Sequence, residues 1–137
     1  MGDDGYFLTG REDSEPVPIP DLATLDAVLD AWHRDHRESG LLAMIKTPHG
    51  DCLGIGLGRE RSVLGWIPAD QSASAVVGNL VSSGEIAEQA PLISYLFEGH
   101  FCEYSLRETV PMALARAAVT YFFIHGLLPP MIRWREL

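Results

Sequence analysis

The stretch that decides the fold is residues 110–134, Val-Pro-Met-Ala-Leu-Ala-Arg-Ala-Ala-Val-Thr-Tyr-Phe-Phe-Ile-His-Gly-Leu-Leu-Pro-Pro-Met-Ile-Arg-Trp. Pro111 suits the first turn of a helix, where its missing N–H needs no acceptor, and Thr109 suits the cap. Gly126 is a typical helix stop, and the prolines at 129–130 prevent the helix from resuming. The polar residues inside these limits are few: Arg116, Thr120, Tyr121 and His125. A helix with so narrow a polar stripe needs a large apolar cover, most simply a β-sheet.

The rest of the chain predicts one helix and several strands. Asp21 suits the N-cap of a helix that runs to about Ser39, where Gly40 stops it. Strand patterns occupy residues 41–46, 52–58, 62–67, 91–97, 101–105 and 131–135, with a long Ser/Ala/Gly-rich loop at 70–89. Residues 1–20 are expected to be an extended acidic lead-in with a possible edge strand at 6–9, and residues 21–137 a single domain. The predicted class is α+β, with a single antiparallel sheet of about five to six strands and two main helices packed on it.

Charge limits the classes of function. The chain has 137 residues, enough for one domain with a real core, and a net charge of −9, which argues against binding to phosphate backbones. An acidic N-terminus with no apolar run lacks the features of a signal peptide, so we expect a cytoplasmic protein. The predicted terminal helix is too short to cross a bilayer, so we expect no membrane contact. The two cysteines, Cys52 and Cys102, are expected to be buried free thiols.

The acidic residues are unevenly distributed. No lysine or arginine lies between Arg61 and Arg107, a stretch that we call the acidic zone. Its carboxylates are Asp70, Glu85, Glu88, Glu98 and Glu103. A zone of one sign attracts partners of the opposite sign. The alternative is a solvated surface that merely lacks basic residues.

Alternating glycines at 54, 56 and 58 superficially resemble a phosphate-binding loop. Their spacing is wrong for such a loop, because they lie inside a predicted strand and no helix begins after them. Alternating glycine leaves one face of a strand bare. We therefore expect an aromatic ring or another backbone to approach that face closely.

Few residues suggest catalysis or metal binding. His33 and His36 lie three apart with Asp30 one turn earlier, which is weak metal-ligand spacing without further ligands. His100 and Cys102 share a face of a strand, but the sequence shows no third orienting group and no oxyanion donor. We therefore expect no catalytic residues, no metal and no cofactor, and a protein that is not an enzyme.

Three segments together resemble immunity protein family 1 of bacterial polymorphic toxin systems. They are the glycine-rich strand at 50–58 with its successor at 62–67, the hairpin at 95–103, and the terminal signature of Phe122, Gly126, Pro129, Ile132 and Trp134. The resemblance covers roughly residues 20–136. It implies a small acidic α+β inhibitor without enzymatic activity, encoded beside a secreted toxin that is often a nucleic-acid deaminase or nuclease. The signature residues are mostly structural, so the resemblance assigns no toxin-binding residue.

The residues themselves suggest where a toxin would bind. A toxin that acts on nucleic acid needs a basic groove, which carboxylates can occupy while aromatic residues add affinity. The predicted toxin-binding residues are Asp70, Glu85, Glu88, Glu98, His100 and Glu103. The expected partner is a cognate toxin domain, without direct nucleic-acid binding, and the protein is expected to be a monomer or a weak dimer. Two alternatives stay open: a small-molecule-binding or enzymatic domain with a pocket under the 70–89 loop, and a subunit that self-associates through an exposed sheet edge.

Overall fold

A computed structural model describes residues 5–10, 15–69, 80–83, 91–97 and 99–136. The two helices are α1 (Leu22–Asp35) and α2 (Met112–His125). The ten strands are β1 (Tyr6–Thr9), β2 (Val17–Ile19), β3 (Leu41–Lys46), β4 (Cys52–Leu57), β5 (Arg61–Ile67), β6 (Leu80–Ser82), β7 (Leu92–Phe97), β8 (His100–Ser105), β9 (Thr109–Pro111) and β10 (Trp134–Glu136). The predicted α+β class and the two helices are confirmed, whereas the prediction of five to six strands is wrong.

The main path of the sheet runs in the order β10-β6-β5-β4-β3-β1-β2. Strand β9 pairs with the first part of β5, and β7 reaches β3 through one parallel pair, Leu41 opposite Leu96. Every other pairing is antiparallel. Strands β2, β6, β9 and β10 have only three residues each, which is too short for an alternating pattern to be read in the sequence.

Helix α1 begins where the sequence predicts and ends earlier. The Asp21 carboxylate accepts the Thr24 N–H at 2.8 Å, as an N-cap should, and this hydrogen bond lowers the pKa of the carboxyl. The last helical residue is Asp35, and residues 36–39 form a turn rather than the predicted last helical turn. Leu25, Leu29 and Trp32 form the buried stripe that packs on the sheet.

Helix α2 packs on the same face of the sheet. It begins at Met112, with Pro111 as an extended N-cap, and it ends at Gly126, whose φ of 68° is left-handed. Thr109 is not the cap, because it belongs to β9 and its hydroxyl donates to the Leu106 carbonyl at 2.6 Å. Phe122 is fully buried, and its ring centroid lies 5.7 Å from that of Trp66 in an edge-to-face contact. The prediction of a central terminal helix is thus confirmed in position and differs by one residue at the start.

The two faces of the sheet carry two separate apolar clusters. On β3 and β4 the alternating residues Leu41, Ala43, Ile45, Leu53, Ile55 and Leu57 face the helices. The opposite face presents Leu42 and Val63, and Tyr95 of the β7–β8 hairpin packs against them. The hairpin therefore covers part of the sheet face that the helices leave uncovered.

Candidate functional site

The β7–β8 hairpin is seated on the sheet by a buried tyrosine. Tyr95 is fully buried, and its hydroxyl donates to the Arg61 carbonyl at 2.9 Å. Its ring lies over Gly56, where a Cβ atom would come within 2.5 Å of the ring. The prediction that the bare glycine face admits an aromatic ring is confirmed. Burial raises the pKa of Tyr95 to about 12, so the hydroxyl stays a donor at physiological pH.

Backbone contacts also hold β7 in place. The Arg59 guanidinium donates through Nη2 to the carbonyls of Ser39 and Ser94, each at 3.2 Å. The Leu96 N–H donates to the Gly40 carbonyl at 3.2 Å. The turn after α1 and the strand β7 are therefore joined by one arginine and one backbone hydrogen bond. This support fixes the position of the hairpin on the body of the protein.

The hairpin exposes one apolar side with a carboxylate. Tyr95 shares a side with Ile93, Phe97 and Tyr104, which pack toward the sheet. By alternation, the other side carries Leu92, Leu96, Phe101 and Glu103, and we call these four residues the outer hairpin face. Leu92 is 65% exposed and Phe101 is 63% exposed, although both are large apolar side chains. Large exposed apolar side chains grouped beside a charge are typical of a protein-binding surface.

The structure locates two of the six predicted toxin-binding residues. Asp70, Glu85, Glu88 and Glu98 lie outside the described residues. His100 and Glu103 both lie on β8 and both are exposed, with His100 opposite Phe97 and Glu103 opposite Ser94. The predicted site did not include Leu92 and Phe101. Phe101 is two residues from Glu103, so strand alternation in the sequence already placed both on one side.

A polar cleft lies at the base of the hairpin. Ser105 and Glu108 form a capping box, in which the Ser105 N–H donates to Glu108 Oε1 at 2.9 Å and the Ser105 hydroxyl accepts the Arg107 N–H at 3.3 Å. Arg135 of β10 forms an ion pair with the other carboxylate oxygen of Glu108. These residues line a cavity of about 300 Å³. The cleft therefore lies between the end of β8 and strand β10 at the edge of the sheet.

His33 of α1 and His36 in the turn after α1 have structural roles. His33 Nδ1 accepts the Gly58 N–H at 2.8 Å, and burial, with the charges of Arg37 and Arg116, lowers the pKa of His33. His36 Nδ1 lies 2.9 Å from the Trp32 carbonyl. Within the described part of the chain, no group of three or more His, Cys, Asp or Glu side chains is placed to hold a metal ion.

Two thiols and a small cavity on the hairpin side of the sheet bear on the enzymatic alternative. Cys52 and Cys102 are free, as expected, but only partly buried rather than buried, and burial raises the pKa of Cys52. The cavity, about 80 Å³, is largely apolar. The residues that line it are Leu42, Met44, Gly54, Val63, Gly65, Trp66, Ile67, Leu80 and Tyr104. Among the described residues the lining includes neither His100 nor a carboxylate, and most of the 70–89 loop, under which the alternative places its pocket, lies outside the described residues.

An acidic α+β protein that exposes an apolar and carboxylate-bearing hairpin has the features of a protein that binds another protein. The family model of Immunity protein Imm1 matches residues 13–136. The chain therefore belongs to the Imm1 immunity protein family, and the resemblance seen in the sequence is confirmed. Membership indicates an immunity protein, implies a toxin protein as its partner and suggests a non-enzymatic role. Comparison with curated proteins gives no match.

Of the helices that the structure describes, neither is long and apolar enough to cross a membrane.

Proposed function

We propose that this immunity protein neutralises a toxin domain that acts on nucleic acid, a deaminase or a nuclease, by occupying its basic substrate groove. The observation that carries the proposal is the outer hairpin face, which exposes Phe101 and Glu103 inside the acidic zone. Family membership supports the toxin as the partner. The protein works in the cytoplasm of the producing cell, where it meets the toxin.

The physical chemistry of such toxins favours an acidic inhibitor. An enzyme that binds a phosphate backbone carries lysines and arginines along its groove. A surface that carries carboxylates but no lysine or arginine attracts such a groove without first having to break ion pairs of its own. Exposed carboxylates act mainly on the rate of association, and this effect weakens as salt screens the charges. The apolar side chains beside them lower the rate of dissociation, because they bury surface in the complex.

The proposed contact residues are Asp70, Glu85, Glu88, Glu98, His100 and Glu103, together with the apolar members of the outer hairpin face. The exposed position of Glu103 beside Phe101 supports the assignment of Glu103, whereas alternation places His100 on the other side of β8, where it is also exposed. The remaining surface carboxylates are less suited to the task. Asp26 and Asp30 of α1, for example, already pair with Arg116 of α2 at 3.2 and 2.8 Å.

The test measures binding to the toxin domain encoded directly upstream of this gene, with its active site inactivated. The double variant Glu98→Lys/Glu103→Lys should weaken binding by several kcal/mol, because like charges then face each other across the interface. Its association rate should also lose most of its salt dependence. The matched control is Asp35→Lys/Glu136→Lys, which reverses two exposed carboxylates on α1 and β10. Lysine at position 35 also suits the C-terminal end of a helix.

The control pair should bind nearly as tightly as the wild type. If the control pair loses affinity and the hairpin pair keeps it, the toxin binds elsewhere and the proposed contact residues are wrong. If the wild-type protein fails to bind the toxin domain at all, the proposed function itself is wrong.

A further inference from the structure

The edges of the sheet differ in how they are protected from further pairing. At one end, β2 has three residues, one of which is Pro18, and it is flanked by Pro16 and Pro20. At the other end, β10 has three residues, one of them Arg135. Prolines, charged residues and short length are the usual means of preventing edge-to-edge pairing. Both ends of the main path are thus poor templates for another strand.

Strand β8 has only one of these protections, the charged residue Glu103. It runs over six residues, His100–Ser105, with no proline, lysine or arginine. Within the described part of the chain it pairs with β7 alone, so its second side is unpaired. An unpaired edge of this length is a ready template for a strand from another chain.

The hydrogen bonds at the base of the hairpin show which backbone groups point to that free side. The Leu106 N–H donates to the Pro91 carbonyl at 2.8 Å, so Leu106 still faces β7. The neighbouring Ser105 N–H instead donates to the Glu108 carboxylate. Because antiparallel pairs alternate between bonded and non-bonded positions, the next residues that point away from β7 are Glu103 and Phe101. The N–H and C=O groups of Phe101 and Glu103 are therefore available to a partner strand, whereas the Ser105 N–H is already bound to the Glu108 carboxylate.

We propose that the free edge of β8 binds an extended segment of the toxin as an added strand, through the backbone groups of Phe101 and Glu103. This inference rests on the proposed function. Such β-augmentation draws affinity from main-chain hydrogen bonds and specificity from alternate side chains. The same two residues supply exposed side chains next to the edge, one aromatic and one acidic.

The charges on β7 and β8 indicate which chain would supply the added strand. Strands β7 and β8 contain no lysine or arginine, and Glu103 is exposed at the edge. A second copy of this chain would offer Glu103 no lysine or arginine from these strands, and a register that pairs Glu103 with itself would place like carboxylates opposite each other, which destabilises a strand pair. A toxin segment with a basic residue opposite Glu103 and an apolar residue opposite Phe101 would gain at both positions. The edge of β8 is therefore better suited to a basic and apolar strand of the toxin than to β8 of a second copy of this chain.

The test separates the contribution of the Glu103 backbone N–H to binding from that of the Glu103 carboxylate. Glu103→Pro and Glu103→Ala both remove the carboxylate, but only proline removes the N–H that faces the free edge. Proline is tolerated on an edge strand where its missing N–H faces solvent, and β7 does not use this N–H. Affinity is measured for the inactivated toxin domain encoded directly upstream. Glu103→Pro should bind about tenfold more weakly than Glu103→Ala, or worse, because one hydrogen bond is lost and the proline ring obstructs the partner backbone.

Phe101→Pro and Phe101→Ala form a second matched pair with the same expected difference. Circular dichroism and thermal melting establish that each variant is folded. Hydrogen–deuterium exchange on the wild type needs no variant: the Phe101 and Glu103 amides should exchange more slowly when the toxin domain binds.

Equal affinity of the proline and alanine variants at both positions, or unchanged exchange at both amides, would overturn strand addition. The proposed function would then still stand, provided that the wild type binds the toxin domain. If the isolated protein is a dimer that Glu103→Pro dissociates, the occupant of the edge is a second copy, and the inference is wrong.

Discussion

Replacing Gly56 by alanine tests how the hairpin is seated. An added Cβ would lie 2.5 Å from Cε1 and 2.6 Å from Cζ of Tyr95, so the ring would have to move by about 1 Å to reach ordinary contact distance. Tyr95 has little freedom to move, because it is fully buried and its hydroxyl is bound to the Arg61 carbonyl. Overpacking of this kind costs about 1–3 kcal/mol, partly offset by the ~0.5–1 kcal/mol that alanine gains over glycine in an unstrained strand.

The measurement is a double-mutant cycle on the free energy of unfolding in urea, with Gly56→Ala and Tyr95→Ala as the single variants. In the Tyr95→Ala background the ring is absent, so Gly56→Ala should cost nothing or stabilise slightly. The two substitutions should therefore couple by about 1–3 kcal/mol. An equal cost of Gly56→Ala in both backgrounds, or no cost in the wild type, would refute this account of the hairpin.

Three further outcomes are expected. Phe122→Ala should lower the free energy of unfolding by about 3–5 kcal/mol in urea titrations, because the ring is fully buried; a melt identical to the wild type would contradict this. The pKa of His33 is lowered below its ordinary 6.5, so folding favours the neutral ring and the free energy of unfolding should fall as pH drops below 6.5. The variant His33→Asn keeps an acceptor for the Gly58 N–H that does not titrate, so it should lose less stability than the wild type between about pH 7 and 5. Chelator should leave the melting temperature unchanged, and a fall of several degrees would indicate a structural metal.

The helices and the central strands could be predicted because their signals are local. Asp21 and Gly126 mark a cap and a stop through their own backbone preferences, and both act as predicted. Runs of six or seven mostly apolar residues bounded by turn signals are enough to identify β3, β4 and β5. A strand of three residues such as β6 or β9 carries no such pattern and forms only because a longer neighbour supplies its hydrogen bonds.

The placement of the hairpin could not be predicted, because it depends on contacts far apart in sequence. The sequence indicates a bare glycine strand and an aromatic hairpin separately. It does not show that Tyr95 and Gly56 meet, or that Arg59 joins Ser94 to the end of α1. For the same reason, the candidate site could be predicted from the sequence only in part. Alternation places Phe101 and Glu103 on one side, but only the observed pairing shows that β8 has a free edge.

Growth protection tests the immunity function most directly. Bacteria that express the active cognate toxin domain should stop growing, and wild-type immunity protein made in the same cells should restore growth. The Glu98→Lys/Glu103→Lys variant should protect poorly at equal protein level, whereas Asp35→Lys/Glu136→Lys should protect like the wild type. Growth arrest that persists in the presence of folded, abundant wild-type protein would contradict the account.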